Sequence, residues 1–306
     1  MKKRQIGNSD LFVSEMGLGC MSLGTDEDKA GAIIEAALDE GINYFDTADL
    51  YDFGENEKIV GKMLKPYREK VILATKAGNH WNHDKTSWKW DPSKEHIKNA
   101  VKDSLLRLQT DYIDLYQLHG GTIEDPIDET ISAFEELKRE GYIRYYGISS
   151  IRPNVIMEYL KRSDITSIMM QYSLLDRRPE EWMSLLDEHK VSMIARGPIA
   201  KGLLSEKMLQ KASEQIRENG YLDYSYNELQ DLLPSIKEKL KEYSMNEIAL
   251  QYILSSKTVA AVIPGASSVE QLRENAQAIK SKALSGEEIK LLQSLTKENK
   301  YTSHRP

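Results

Sequence analysis

The stretch that decides the fold is Ile42-Asn43-Tyr44-Phe45-Asp46-Thr47-Ala48-Asp49-Leu50-Tyr51. Its first half is short, β-branched and aromatic, the composition of a half-buried strand. It stops on a carboxylate, Asp46, and presents a phenol five residues later, in a loop that ends where Gly54 and polar residues open a helix. Working outward, the run Val71-Ile72-Leu73-Ala74-Thr75 ends on Lys76, and Tyr112-Ile113-Asp114-Leu115-Tyr116-Gln117-Leu118 ends on His119. If these runs are parallel neighbours in one sheet, their last residues lie side by side. Asp46, Tyr51, Lys76 and His119 then form one site.

The same rhythm extends over most of the chain. Strands are expected at Met16–Cys20, Ile42–Asp46, Val71–Lys76, Tyr112–His119, Tyr145–Ser149, Ser167–Gln171, Ser192–Arg196 and Ala260–Pro264, separated by helical patterns of 10 to 16 residues. Helix starts are marked by Thr25 with Asp28, Asp91 before Pro92, Asp125 before Pro126, Ser244 with Glu247, and Ser267 with Glu270. Gly41 and Gly141 mark helix exits. Before all this, Lys3–Ile6 and Leu11–Ser14 flank Gly7-Asn8-Ser9-Asp10 as a β-hairpin. Eight βα units without a composition break point to a single domain over residues 1–306, a closed (β/α)8 TIM barrel with an N-terminal β-hairpin and long loops at the C-terminal face, in preference to an open doubly wound sheet. The polar segment between Leu204 and Pro234, with Tyr221, Tyr224 and Tyr226, is longer than a crossover needs and reads as a partly helical lid.

Composition excludes several functions. The 40% hydrophobic and 29% charged content is that of an ordinary globular chain, and 306 residues bury a large core. A net charge of −7 does not suit a nucleic-acid surface. The one cysteine, Cys20, excludes a disulfide framework and fits a reducing cytoplasm. No signal-peptide core follows the basic start Met1-Lys2-Lys3-Arg4, and no apolar run is long enough to span a bilayer.

In a barrel of this kind, chemistry sits at the carboxyl ends of the strands. Those ends read Gly19-Cys20, Asp46, Lys76, His119, Ser149, Gln171, Arg196 and Gly265. Any one polar residue there has an ordinary explanation, the chain meeting water; their concurrence does not. A phenol with a pKa of about 10 is a poor proton donor at neutral pH. One ammonium at about 4 Å, with an effective dielectric near 20, stabilises its phenolate by about 4 kcal/mol. Lys76 thus tunes Tyr51, Asp46 keeps Lys76 charged and aimed, and His119 holds the reacting oxygen in line. With no central thiol or serine, what remains is a proton relay to an oxygen, half of a carbonyl reduction. The other half is a hydride from a nicotinamide cofactor.

Gly17-Leu18-Gly19-Cys20-Met21-Ser22 looks like a dinucleotide fingerprint, but Ser22 replaces the third glycine and no helix opens there. The better phosphate site is Ile263-Pro264-Gly265-Ala266-Ser267-Ser268, where a strand runs into a helix N-terminus. Ser267, Ser268, Gln271 and Arg273 add donors suited to the 2′-phosphate of NADP.

On these residues the chain resembles the aldo-keto reductase family along nearly its whole length, in the branch of bacterial general-stress reductases and potassium-channel β subunits. The resemblance rests on Gly41–Ala48 with Tyr51, Gly54-Glu55-Asn56-Glu57, Lys76, His119, Gly147-Ile148-Ser149, Gln171-Tyr172, Pro198 through Gly202-Leu203-Leu204, and Ile263-Pro264-Gly265 with Gln271, Glu274 and Asn275. It implies Tyr51 as proton donor, Lys76 and Asp46 as its tuners and His119 as substrate orienter. It also implies NADP(H), with Ser149 and Gln171 on the nicotinamide amide and Ser267, Gln271 and Asn275 around the adenosine and its 2′-phosphate. Gly19, Cys20, Met21, Asp46 and Arg196, the loop residues Pro198, Gly202 and Leu203, and Gly265 and Glu274 complete the expected contacts. Two departures stand out. Arg196 occupies a place where several branches stack an aromatic on the nicotinamide, and a cation there favours the reduced cofactor. Ser150 stands where many branches carry Asn.

The expected function is therefore NADP-dependent reduction of an aldehyde or ketone carbonyl of a small molecule, by hydride transfer from nicotinamide C4 with Tyr51 as proton donor. A cofactor-binding regulatory or redox-sensing subunit and a metal-dependent hydrolase are the rivals. His80 and His83, three apart without a third ligand spaced to match, read as solvated loop residues, so no metal is expected. Trp81, Trp88 and Trp90 read as pocket walls, and Met169-Met170 as barrel packing.

Overall fold

The computed structural model describes residues 1–305. Eight parallel strands alternate with helices and form the barrel: Leu18–Gly19, Tyr44–Asp46, Ile72–Ala77, Ile113–Leu118, Ile143–Ser149, Ser167–Gln171, Ser192–Arg196 and Val259–Ile263. Each pairs with the next in chain order. The seam between the first and eighth is closed by parallel bridges at Met16–Val262 and Gly19–Gly265. The expected barrel is thus present, with one strand much shorter than expected. Met16–Cys20 shrinks to Leu18–Gly19 because Gly17 and Gly19 weaken it and Cys20–Leu23 turns into a 3-10 helix.

Inside the barrel, Tyr44, Ile72, Ala74, Leu115, Met169 and Ile194 pack on Ile6, Leu11 and Val13 of the N-terminal hairpin, Lys3–Gln5 with Phe12–Ser14. The hairpin therefore closes the amino end of the barrel. The larger apolar layer lies between strands and outer helices, where helices such as Ile127–Arg139 bury Ile131, Phe134 and Leu137 at helical spacing.

Helix exits follow the sequence. Gly41 and Gly141 sit at φ 82° and 83°, the left-handed region that ends a helix without strain in glycine. Several starts move by a residue or two. Asp26, not Thr25, caps Glu27–Asp39. Ser93 caps Lys94–Leu108, because Asp91 instead accepts from the Ser93 N–H and Pro92 falls in the turn. Pro126, which has no side-chain cap, precedes Ile127–Arg139, while Asp125 accepts from Thr122 and from Trp90. Ser268, not Ser267, caps Val269–Lys280. Ser244 and Glu247 form the expected capping box.

The segment after Leu204 is helical in parts, as expected: Met208–Lys211, Glu214–Asn219 and the start of Tyr226–Lys239. No helix among the described residues is long and apolar enough to cross a membrane.

Candidate active site

Three adjacent strands deliver the central groups. Asp46 ends the second strand, Lys76 lies near the end of the third, and His119 follows the fourth. Parallel register carries Asp46 to Ala74 and Lys76 to Gln117, so the three side chains converge at one rim of the barrel. Tyr51 reaches the same point from the loop after Asp46. That loop is fixed by hydrogen bonds from the Thr47 N–H to the Ala74 carbonyl (2.9 Å) and from the Asp49 N–H to the Lys76 carbonyl (3.1 Å).

Lys76 is completely buried. Its ammonium donates to Asp46 Oδ1 at 2.5 Å and to the Thr47 carbonyl at 2.7 Å, and lies 3.4 Å from the Tyr51 hydroxyl. Burial works against the charge, yet Asp46 and Tyr51 outweigh it and hold the Lys76 pKa above its ordinary value. Asp46 is raised by burial, against the pull of Lys76 and of the Gln117 amide, which donates to Oδ2 at 3.2 Å. The His119 ring stands edge-on to Tyr51, with centroids 5.8 Å apart. Burial, then Lys76 and Arg196, push its pKa down to about 3, so the imidazole is neutral, and its buried Nδ1 has no partner among the described residues.

Above these groups opens a cleft of about 530 Å³, lined by Tyr51, His119, Ser149, Gln171, Arg196 and, across the seam, Gly19 and Met21. The Gln171 amide is held at both ends: Nε2 donates to Asp176 Oδ2 at 3.0 Å, and Oε1 accepts from Arg196 at 3.2 Å. A second cleft of about 430 Å³ is lined by Pro198, Gly202, Ser267, Gln271, Glu274 and Asn275. Ser22, Gly197, Lys201 and Gly265 line both, which makes one groove from Tyr51 to Ser267. At its far end the N–H and hydroxyl of Ser267 both donate to Gln271 Oε1, at 2.9 and 3.0 Å.

Most residues expected in the site therefore lie together. Cys20 and Leu203 do not present side chains to the groove; both are fully buried, and burial raises the Cys20 thiol well above the ordinary thiol range. The glycine-rich stretch ending at Ser22 opens only the 3-10 turn Cys20–Leu23 and no α-helix, and Ser22 itself bridges the seam by accepting from the Ala266 N–H and donating to its carbonyl, both at 3.1 Å. Sequence reasoning missed Ser22, Lys201 and Gln117. Lys201 carried a signal, a cation inside the stretch from Pro198 to Gly202, whereas Gln117 looked like any interior strand residue. Met169 does more than pack, since it also lines the catalytic cleft. Trp88 and Trp90 wall a side cleft of about 350 Å³ that includes His119, while Trp81 faces elsewhere.

Comparisons with known proteins give the family and the fold. Residues 15–297 match the aldo/keto reductase family. The chain is 62% identical over 305 residues, and over the full length of both, to the uncharacterized oxidoreductase YqkF of Bacillus subtilis. It is 33% identical to the NADH-specific methylglyoxal reductase of Escherichia coli, covering 91% of this chain and 94% of the other. Among solved structures it is similar to the aldo-keto reductase AKR11C1 from Bacillus halodurans across 100% of both chains. The holo form matches at a TM-score of 0.95 with 60% identity, and the apo form at 0.87.

Proposed function

The chain belongs to the aldo/keto reductase family, and from that premise we propose that it is an NADP(H)-dependent oxidoreductase that reduces the carbonyl of a small aldehyde or ketone to an alcohol. The observation that carries this reading is the single groove that joins Tyr51 and His119 to Ser267. Its far end meets the N-terminus of the helix Val269–Lys280, where N–H groups favour a phosphate. Lys201, which lines both halves, adds the cation. Ser149 and Gln171 would hold the nicotinamide amide, and Ser267, Gln271 and Asn275 the adenosine end. The greater likeness to the holo form of AKR11C1 supports a groove shaped for its cofactor. A nicotinamide bound there supplies the hydride that no side chain can.

The chain's own residues move the proton. Tyr51 gives its hydroxyl proton to the carbonyl oxygen, and the Lys76 ammonium at 3.4 Å stabilises the phenolate left behind. At this range an opposite charge is worth about 4 kcal/mol with an effective dielectric near 20, before the opposing charge of Asp46 is counted. Asp46 keeps Lys76 protonated and aimed, so its cost to the phenolate is matched by the position it fixes. His119, neutral and lining the cleft beside Tyr51, is placed to hydrogen-bond the substrate oxygen and hold it in line.

One feature favours a second reading for the cofactor. Glu274 lines the far cleft, and a carboxylate accepts from a ribose hydroxyl but repels a 2′-phosphate. The E. coli relative is named NADH-specific. Fluorescence titration with NADPH and NADH decides between them. Tighter NADPH binding that weakens roughly tenfold in Lys201→Ala fits one charge-assisted contact and supports the first reading. Equal or tighter NADH binding overturns it. A carbonyl panel then tests turnover: slow cofactor release without turnover on any carbonyl would replace the reductase by a redox-sensing subunit.

A further inference from the structure

The hairpin that walls the active site carries a second group of ligands that the proposed reaction does not use. Its strands are Asn79–Trp81 and Trp88–Trp90, and it leads through Asp91 into the helix Lys94–Leu108. The sequence reads His80 and His83 as solvated loop residues, and the fold gives His80 different neighbours. His83 is fully exposed, whereas His80 stacks on His96 of the first helical turn, with ring centroids 4.8 Å apart and planes 6° from parallel. Asp91 lies between hairpin and helix, with Oδ2 3.5 Å from His80 Nδ1. One ligand atom from each of His80, Asp91 and His96 lies within 4.8 Å of the others.

We propose that His80, Asp91 and His96 form a binding site for a divalent transition-metal ion of the zinc type, separate from the catalytic centre. The donor chemistry selects the class: two imidazoles and one carboxylate suit zinc, nickel or cobalt, whereas calcium and magnesium need more oxygen ligands. The separations are near what is required, because bonds of about 2.0 Å in a tetrahedron set ligand atoms roughly 3.3 Å apart. The ligands are also prepared. Asp91 is anchored by its N–H to the Gly78 carbonyl (2.8 Å), and its Oδ1 accepts from the Ser93 N–H (3.2 Å), which leaves Oδ2 for the ion. His96 Nε2 is buried without a partner among the described residues, and the His96 backbone N–H donates to Ser93 Oγ at 3.3 Å, which holds the residue in the first helical turn.

A second observation points to a cation independently. The three ligands line a cleft of about 410 Å³ that also holds Asp49, a residue 1% exposed whose Oδ1 has no partner among the described residues. Asp103 adds a carboxylate to that space and Lys89 and Arg107 add cations, while burial and Glu57 raise the Asp49 carboxyl, so Asp49 offers the ion an unpartnered oxygen rather than a fixed charge. One adjustment is needed. Parallel imidazoles cannot both aim a lone pair at one atom, so His80, whose side chain is 52% exposed, must swing out of the stack when the ion enters. Water completes the shell. The bound ion ties the hairpin to the helix and so braces the wall that Trp88 and Trp90 present to His119.

The test uses the full chain without a histidine tag, stripped with chelator and titrated with zinc chloride by calorimetry. Nickel chloride quenching of tryptophan fluorescence follows the same site, because Trp81 lines the cleft. One zinc per chain is expected. His96→Gln and Asp91→Asn should each weaken it at least as much as loss of an outer partner does, roughly 10- to 100-fold. Saturating zinc should raise the melting temperature of the wild type and not of His96→Gln. If His96→Gln fails to fold, His80→Ala, on the exposed side, must give the same loss. His83→Ala should bind as the wild type does. Absence of saturable binding, unchanged binding in Asp91→Asn and His80→Ala, or an equal loss in His83→Ala would each overturn the site.

Discussion

The two ends of the barrel treat buried charge in opposite ways. At the amino end, Arg4, Glu15 and Asp114 are each fully partnered. The Arg4 guanidinium donates to Glu15 at 2.9 Å and to the carbonyls of Leu254, Ser256 and Val259 at 2.7 to 2.9 Å. Asp114 accepts from the Leu73 N–H at 3.0 Å and pairs with Arg68 and Arg144 at 2.8 and 2.7 Å. At the carboxyl end, Lys76 and Asp46 are buried just as deeply, yet Tyr51 holds its contact at 3.4 Å, and His119 Nδ1 and Gln117 Oε1 have no partner among the described residues. A polar atom buried without a partner costs stability. The first end therefore contributes to holding the fold, and the second carries polar atoms that the fold leaves unsatisfied beside the cleft.

This contrast can be broken most forcefully at Tyr51. Removing the hydroxyl with Tyr51→Phe deletes a proton donor and should lower kcat by roughly 100- to 10,000-fold. The urea midpoint should stay close to that of the wild type, because the hydroxyl makes only the 3.4 Å contact. A near-normal kcat removes Tyr51 from the chemistry. Lys76→Met is expected to do the reverse and cost stability as well as rate. It leaves Asp46 buried and uncompensated, a loss of about 3–5 kcal/mol by urea denaturation. An unchanged midpoint would mean that Asp46 takes up a proton without penalty.

The same division explains what was legible in the sequence. The barrel was readable because strand and helix periods alternate eight times, and the carboxyl ends of the strands followed at once. Asp46, Lys76 and His119 each close an apolar run, so they could be found without any knowledge of contacts. Residues that act across the seam could not. Ser22 meets Ala266 only because the first and eighth strands close on each other, and Lys201 lies on a loop whose path depends on tertiary packing. Helix caps moved for a local reason that periodicity does not encode. Ser267 looked like a cap until its N–H and hydroxyl were taken by Gln271. The amino end was equally hidden: nothing in Lys3-Arg4-Gln5 announces that Arg4 will join carbonyls some 250 residues away.

At that end, Arg4→Ala should cost about 2 kcal/mol, because it strands one carboxylate and three carbonyls. Its kcat should equal that of the wild type. A fall in kcat at unchanged stability would show that the hairpin reports to the opposite rim, and the separation of the two ends would fail.

The smallest effect is one of pH, and it comes from His119. In the folded chain burial, Lys76 and Arg196 keep this imidazole neutral down to about pH 3, while an unfolded chain protonates it at about 6.5. Between those values the unfolded state binds the extra proton, so stability falls as pH falls. From pH 7 to pH 5 this one group should cost about 2 kcal/mol. Urea denaturation of His119→Gln at the two pH values should show that much less acid sensitivity than the wild type. Arg4→Ala should keep the wild-type slope, since the other titrating groups are common to both. An identical slope in His119→Gln would mean that the imidazole is solvated or charged in the folded chain. Its unpartnered nitrogen would then be met by water, and the contrast between the two ends would fail at His119.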